Sequence, residues 1–190
     1  MKRTLFLLLL CLFCTATVFA GKPVTVKSGS VSALKTPSKS LLEIDYSATK
    51  VGKQSLEEYL QGRGEDFVKD WPRESETAVS YFRERFNKKS KGTKITTDET
   101  AASYKIVIHV KYLDMGNAGS FFVTMAIGGS QKAGGVIMSG SIDIIDLKTN
   151  NVVCVLYVDD VKGAGHPQDA IRMGMMYFEL ATQMCKLKAK

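Results

Sequence analysis

The stretch Tyr104-Lys-Ile-Val-Ile-His-Val-Lys-Tyr112 decides the fold. Tyr104, Ile106, Ile108, Val110 and Tyr112 occupy alternate positions, and Lys105, His109 and Lys111 take the opposite ones, with Val107 among them. A period of two predicts a strand with one buried face and one largely wet face. Upstream, Leu42, Ile44 and Tyr46 alternate with Glu43 and Asp45, which predicts a second strand. Between the two strands the period changes to a helical one. Ser55-Leu-Glu-Glu58 is a capping box, with Gly62 and Gly64 closing the short helix behind it. Asp70-Trp71-Pro72 is predicted to open the next helix, because proline suits a first helical position. Ser75, Ala78, Val79, Phe82 and Phe86 then recur at steps of three and four. Strand, helix and strand in that order predict a right-handed crossover and parallel strands.

Downstream, Phe121–Ile127 reads as a strand, Gly128–Gly135 as a loop, and Val136–Leu147 and Val152–Val158 as further strands. This predicts an antiparallel meander with a Gly-rich, Phe-rich hairpin. His166-Pro-Gln-Asp169 starts a last helix with two apolar stripes. One holds Ile171, Met175, Phe178, Ala181 and Cys185, the other Met173, Met176, Leu180, Met184 and Leu187. The expected fold is α+β, a two-layer sandwich in which a mixed five- to six-stranded sheet carries two long helices on one face. Residues 41–190 form one α/β domain, and residues 21–40, rich in Ser, Thr and Lys, form an extended arm or short edge strand before it.

The first twenty residues differ from the rest. Lys2 and Arg3 precede an apolar run from Leu5 to Leu12, and Val18 and Ala20 sit at minus three and minus one before Gly21. That pattern predicts a signal peptide over residues 1–20, cleaved after Ala20, and a periplasmic or extracellular protein. Cys11 and Cys14 follow Leu10 and Phe13, whereas a lipid-attachment cysteine normally follows a small residue. With 45% hydrophobic and 24% charged residues in 190, the chain has the make-up of a folded protein. Losing Lys2 and Arg3 takes its net charge from +7 to +5, and no nucleic-acid motif accompanies that mild excess.

The residues offer little chemistry. His109 and His166 are the two histidines. Asp159, Asp160, His166 and Asp169 could meet where the last strand joins the last helix, but their spacing matches no metal site. Ser139 and Ser141 lack the glycines of a nucleophile elbow. Glu43 and Asp45 fit the wet face of a strand. The Gly129–Gly135 loop lies between predicted strands, so it does not read as a phosphate cradle. No catalytic, cofactor or metal residue is assigned, and the chain reads as no enzyme. Cys154 and Cys185 remain after export, and two readings stand side by side: a disulfide, or two buried thiols. The second methionine stripe and the Phe-rich segment give a candidate interface of Met173, Met176, Met184, Phe121 and Phe122. It implies self-association or an envelope protein as partner. Each predicted hairpin arm has about seven apolar-leaning residues against roughly 9–11 in a spanning strand, which argues against membrane insertion. A small ligand held between sheet and helices is the alternative, and a hydrolase using the Asp159, His166 and Asp169 corner is a third reading.

Tyr104–Ile108, the run Ile142-Asp-Ile-Ile-Asp-Leu-Lys-Thr-Asn-Asn-Val-Val153 and the Ala170-Ile-Arg helix resemble the small α/β domains of bacterial envelope proteins. These include the curli secretion-channel component and the N-terminal domain of TolB. Leu42–Ser47 and Trp71-Pro72 resemble a secreted family of Gram-negative gut bacteria. The resemblance covers roughly residues 40–188. It implies an envelope accessory or assembly role through protein–protein contacts and carries over no catalytic residue.

Overall fold

A computed structural model describes residues 21–189. The expected signal peptide, residues 1–20, lies outside the described residues. In chain order the elements are β1 (Val24–Gly29), α1 (Ser32–Lys35), β2 (Lys39–Asp45), β3 (Lys50–Val51), β4 (Gln54–Ser55) and α2 (Leu56–Arg63). Then come α3 (Glu65–Lys89), β5 (Lys94–Ile95), β6 (Tyr104–Asp114), α4 (Ala118–Ala126), β7 (Ile137–Asp146), β8 (Asn151–Lys162) and α5 (Asp169–Lys186). The fold is α+β with an open, mixed, eight-stranded sheet ordered β1-β8-β7-β6-β2-β5, and β3 and β4 attached beside β6. The expected five to six strands become eight because β3, β4 and β5 have two residues each. The Thr-rich stretch around Ile95 is expected to form a short strand and does so as β5, whereas two-residue β3 and β4 have no period to read.

β6 behaves as its alternation demands. Ile106, Ile108 and Val110 are fully buried, while Lys111 on the opposite face is exposed and His109 half-buried. A bulge between Val110 and Tyr112 shifts the phase by one residue and returns Leu113 to the core. β2 pairs with β6 in parallel from Ser40↔Tyr104 to Asp45↔His109, as the crossover predicts. β7 and β8 add antiparallel strands, and β1 closes that side against β8.

Four helices need comment. The capping box of α2 is present: the Ser55 hydroxyl accepts from the Glu58 amide at 3.1 Å, and Glu58 accepts from the Ser55 amide at 2.8 Å. The second helix does not start at Pro72. α3 starts at Glu65 after Gly64, whose φ is 110°, and Pro72 lies inside it. A proline there leaves the carbonyl four residues back without its donor. That carbonyl belongs to Val68, which is exposed, so water can take the donor's place.

The segment Phe121–Ile127 is not a strand, and there is no Gly-rich hairpin. It lies in α4, whose N-cap Asn117 accepts from the amides of Gly119 at 2.6 Å and Ser120 at 3.4 Å. β6 already holds β7 along one edge and β2 and β3 along the other. A strand here could not have paired with β6, its neighbour in the chain.

α5 corrects the interface prediction. Met173 is 1% exposed, and Met176 and Met184 are 0% exposed. These three methionines are core, joined in one cluster with Phe82 and Phe86 of α3 and Ile142 and Leu156 of the sheet. The wide apolar arc is divided between two neighbours, the sheet and α3. Gly174 permits the close approach of α3, since a Cβ there would stand 2.8 Å from the Tyr81 ring. Cys154 and Cys185 are both free thiols, so the disulfide reading does not hold. Cys154 sits buried in β8 opposite Gly29 of β1. Cys185 lies in the last turn of α5, where its carbonyl accepts from Lys35 Nζ of α1 at 3.1 Å. Burial raises the pKa of both thiols.

Candidate functional site

One end of the sheet gathers most of the unusual features. β6 and β8 end there and β7 begins there: Ile137 pairs with both Asp114 and Lys162. β1 enters at the same end, with Pro23 accepting from the Asp159 amide at 2.9 Å and Val24 opposite Val158. From this end the chain leaves the sheet as α4 and returns through residues 127–136.

α4 has no buried residue. Phe122 is 57% exposed, Val123 64%, Met125 52%, and Ile127 just beyond the helix 78%. Residues 115–131 contain no Asp, Glu, Lys, Arg or His. At about 100° per residue these four side chains spread over about 200° of helix surface. Phe121 and Thr124 occupy the remaining arc and are half-buried, Phe121 with its ring centroid 6.5 Å from that of His166. Of the predicted interface, Phe122 therefore lies on the surface, Phe121 is partly covered, and the three methionines are inside.

The base of α4 is held firmly. The Asn117 amide donates to Gly134 at 3.2 Å, and the Gly165 amide to Gln131 at 2.8 Å. Gly134 has φ +67°, and a Cβ on it would stand 2.1 Å from the Asn117 carbonyl. Arg172, 4% exposed, reaches in from α5. Its Nε donates to the Met115 carbonyl at 3.3 Å. Its Nη1 donates to His166 at 2.9 Å and Pro167 at 3.2 Å, and Nη2 to Asp169 at 2.5 Å. Arg63 pairs with the other oxygen of Asp169 and stacks 3.9 Å over the Phe67 ring. One guanidinium thus fastens both α4's entry and the loop before α5 to α5. Sequence reading missed this, though a single arginine within the apolar run Ile171–Met176 was the signal.

The predicted acid–histidine corner does not assemble. Asp169 is taken by the two arginines, and His166 Nδ1 accepts from the Gln168 amide at 3.1 Å. Asp160, at φ +47°, accepts from the Ser139 hydroxyl at 2.9 Å, and Asp159 is exposed. Among the described residues no group of three His, Cys, Asp or Glu side chains is placed to share a metal ion. The other histidine has acidic neighbours that the sequence did not disclose. His109 Nδ1 lies 2.8 Å from Asp45 of β2 and Nε2 3.3 Å from Asp143 of β7. Hydrogen bonds from Ser47 and from His109 lower the Asp45 pKa to about 2. Ser141 is opposite His109 in register, yet both ring nitrogens are engaged by carboxylates. Neither is left to act as a base toward a hydroxyl.

A cleft of about 420 Å³ lies between α2, α3 and the end of β2, lined by Tyr46, Leu56, Leu60, Val68 and Trp71. Two of its polar groups already have partners. Gln61 donates to Glu57 at 3.2 Å, and the Thr49 hydroxyl to the Val110 carbonyl at 2.6 Å. No helix among the described residues is long and apolar enough to cross a membrane.

No family model matches the chain, and no curated protein matches it. Several solved structures show a distant likeness, among them two forms of one dodecamer. The PelC dodecamer from Paraburkholderia phytofirmans is 12% identical, with 83% of this chain and 96% of that chain covered and a TM-score of 0.43. A single-substitution form of that dodecamer in another crystal form is 11% identical, with 86% and 98% covered and a TM-score of 0.41.

Proposed function

We propose that this chain is a non-enzymatic accessory module of the cell envelope, exported by its N-terminal segment, that acts by docking through α4 onto another envelope component. α3 and α5 form one layer against the buried face of the sheet in this reading, and the two-layer body serves as a rigid mount. The observation that carries it is the exposure of Phe122, Val123 and Met125 on one short helix, with Ile127 just beyond its end. Contiguous exposed apolar groups of this size mark contact surfaces. The engaged state of His109, His166, Asp169 and Ser139 supports the non-enzymatic part of the reading. Kinship with the curli and TolB domains remains a proposal of the same kind, resting on Tyr104–Ile108 and Ile142–Val153.

The test is envelope fractionation with photocrosslinking in the native host. A crosslinking residue at Val123 should form adducts with an envelope component, and one at exposed Lys91 should not. Substituting Phe122 and Ile127 together by serine should move the protein from the envelope-associated to the soluble fraction. An unchanged distribution without α4-specific adducts overturns the proposal.

A further inference from the structure

We infer that the cleft between α2, α3 and the end of β2 binds a small methylated ammonium ion. The site is separate from α4 and does not depend on the docking reading. Its volume of about 420 Å³ is in the range of small-molecule sites, roughly 300–1,000 Å³. Three observations set the class of ligand.

The first is the aromatic lining. Tyr46 and Trp71 both face the cleft and both are half-buried. Their ring centroids are 5.5 Å apart and their planes meet at 72°, so the cleft has two aromatic walls at a steep angle. The Tyr46 ring is fixed, because its hydroxyl pairs with that of Tyr177 at 2.6 Å. Ring faces attract cations, and groups of rings are the usual receptors of quaternary ammonium ions. Among the described residues, arginines stack on Tyr59, Phe67 and Phe178, and none stacks on Tyr46 or Trp71.

The second is charge. Glu57 lines the cleft and no basic residue does. Residues 56–80, which make up α2 and most of α3, hold seven acidic and three basic residues in a chain of net charge +7. Two of those bases are already paired, Arg63 with Asp169 and Arg73 with Asp70. A cleft lined by one sign of charge concentrates the opposite sign. The carboxylate of a zwitterion would find no partner there, so the ligand carries net positive charge.

The third is hydrogen bonding. A primary ammonium has three donors to satisfy. The cleft offers it apolar Leu56, Leu60 and Val68, and polar groups that are largely engaged. Glu57 accepts from Gln61 at 3.2 Å, the Ser55 hydroxyl donates to Glu58 at 3.0 Å, and the Thr49 hydroxyl to the Val110 carbonyl at 2.6 Å. A methylated ammonium has charge without that need for acceptors, and its methyl groups suit the leucines.

Trp71 is the only tryptophan in the chain, so its emission reads the cleft directly. The experiment titrates the exported protein with choline, with dimethylbutanol (its uncharged carbon isostere) and with the zwitterion glycine betaine. Choline should change the emission saturably in the millimolar range. The isostere and the betaine should bind about five- to thirtyfold more weakly, the isostere having lost its attraction to the rings. Glu57→Gln should weaken choline about two- to fivefold. Its urea midpoint should match wild type, because Glu57 is exposed and lies outside the capping box. Trp71→Leu, followed by the amide shifts of Leu56 and Leu60, should lose about tenfold or more. Equal binding of choline and dimethylbutanol marks an apolar crevice and overturns the inference. Equal binding of choline and betaine overturns it too, as does an E57Q variant that binds choline like wild type. Emission and amide shifts that choline leaves unchanged throughout the millimolar range overturn it outright.

Discussion

Replacing Arg172 by methionine removes four hydrogen bonds while keeping most of the side chain's volume. The Met115 carbonyl loses its donor in a buried setting, and the His166 and Pro167 carbonyls lose theirs where water has better access. Asp169 keeps Arg63. A buried acceptor left alone costs about 1–3 kcal/mol, and breaking one side of a buried charged pair costs about 3–5 kcal/mol. These overlap, so the whole change is about 3–5 kcal/mol, toward the lower end because Asp169 is still neutralised. For a domain of this length that lowers the Tm by about 10 °C. Arg172→Lys keeps the charge on Asp169 but not the fork to three carbonyls, and should cost about half as much. Urea titration reads the difference as a lower midpoint with unchanged m. Amide exchange should speed up first at residues 115–121 and 163–168, the two segments the guanidinium holds. A loss below about 1 kcal/mol, or exchange that rises evenly over the whole chain, would refute the view of Arg172 as the fastener of α4's base.

Three other perturbations test the rest of the fold. Met176→Glu buries a carboxylate in the core, and should prevent folding or cost about 4 kcal/mol or more; a stable, folded variant in a melting experiment would return this methionine to the surface. Asp45 has its pKa lowered to about 2, so the stability it contributes is complete above the unfolded value near 4 and is lost as pH falls from there to about 2. Asp45→Asn should remove that part of the acid limb in urea midpoints taken at pH 4.5 and pH 2.5. Tyr46 is pushed up to about 12 by burial, and Tyr177, its partner at 2.6 Å, is raised well above its usual value by the same cause. The folded state is thereby favoured below pH 10 and loses that advantage as pH rises toward 12. Titration at 295 nm should show two tyrosines ionising only with unfolding.

The sheet was legible where periods were long. Tyr104–Tyr112 and Leu42–Tyr46 gave two strands, and the helical spacing between them gave the parallel pairing that β2 and β6 adopt. The capping box at Ser55 was legible because both halves of its chemistry are local. Reading failed where a long-range neighbour decides. Phe121–Ile127 is apolar enough for either state. Asn117 caps it as a helix, and β6, its neighbour in the chain, already has both edges paired; only the first of these is in the local sequence. The methionine stripe of α5 was seen correctly as apolar, but which side of it meets α3 depends on Gly174 and Tyr81, which lie far apart in the chain. The pole was least legible. Arg172, Met115 and His166 come from three segments, and the carboxylates beside His109 come from two strands other than its own.

Burying the four exposed groups of α4 against the body would stabilise the chain, since each large apolar side chain covered contributes roughly 1.5–3 kcal/mol. The fold forgoes this and fixes the helix outward instead. Asn117 caps it, Gly134 and Gly165 allow backbone approaches that any side chain would block, and a buried arginine ties its root to α5. A loop that was merely slack would need none of these. Mutations at the root and at the tip should therefore separate. Gly134→Ala, strained at φ +67° and blocked by the Asn117 carbonyl, should lower stability and docking together. Phe122→Ser should lower docking alone. If the tip variant also loses stability, Phe122 packs against the body in solution, and α4 is not the exposed element that the docking reading requires.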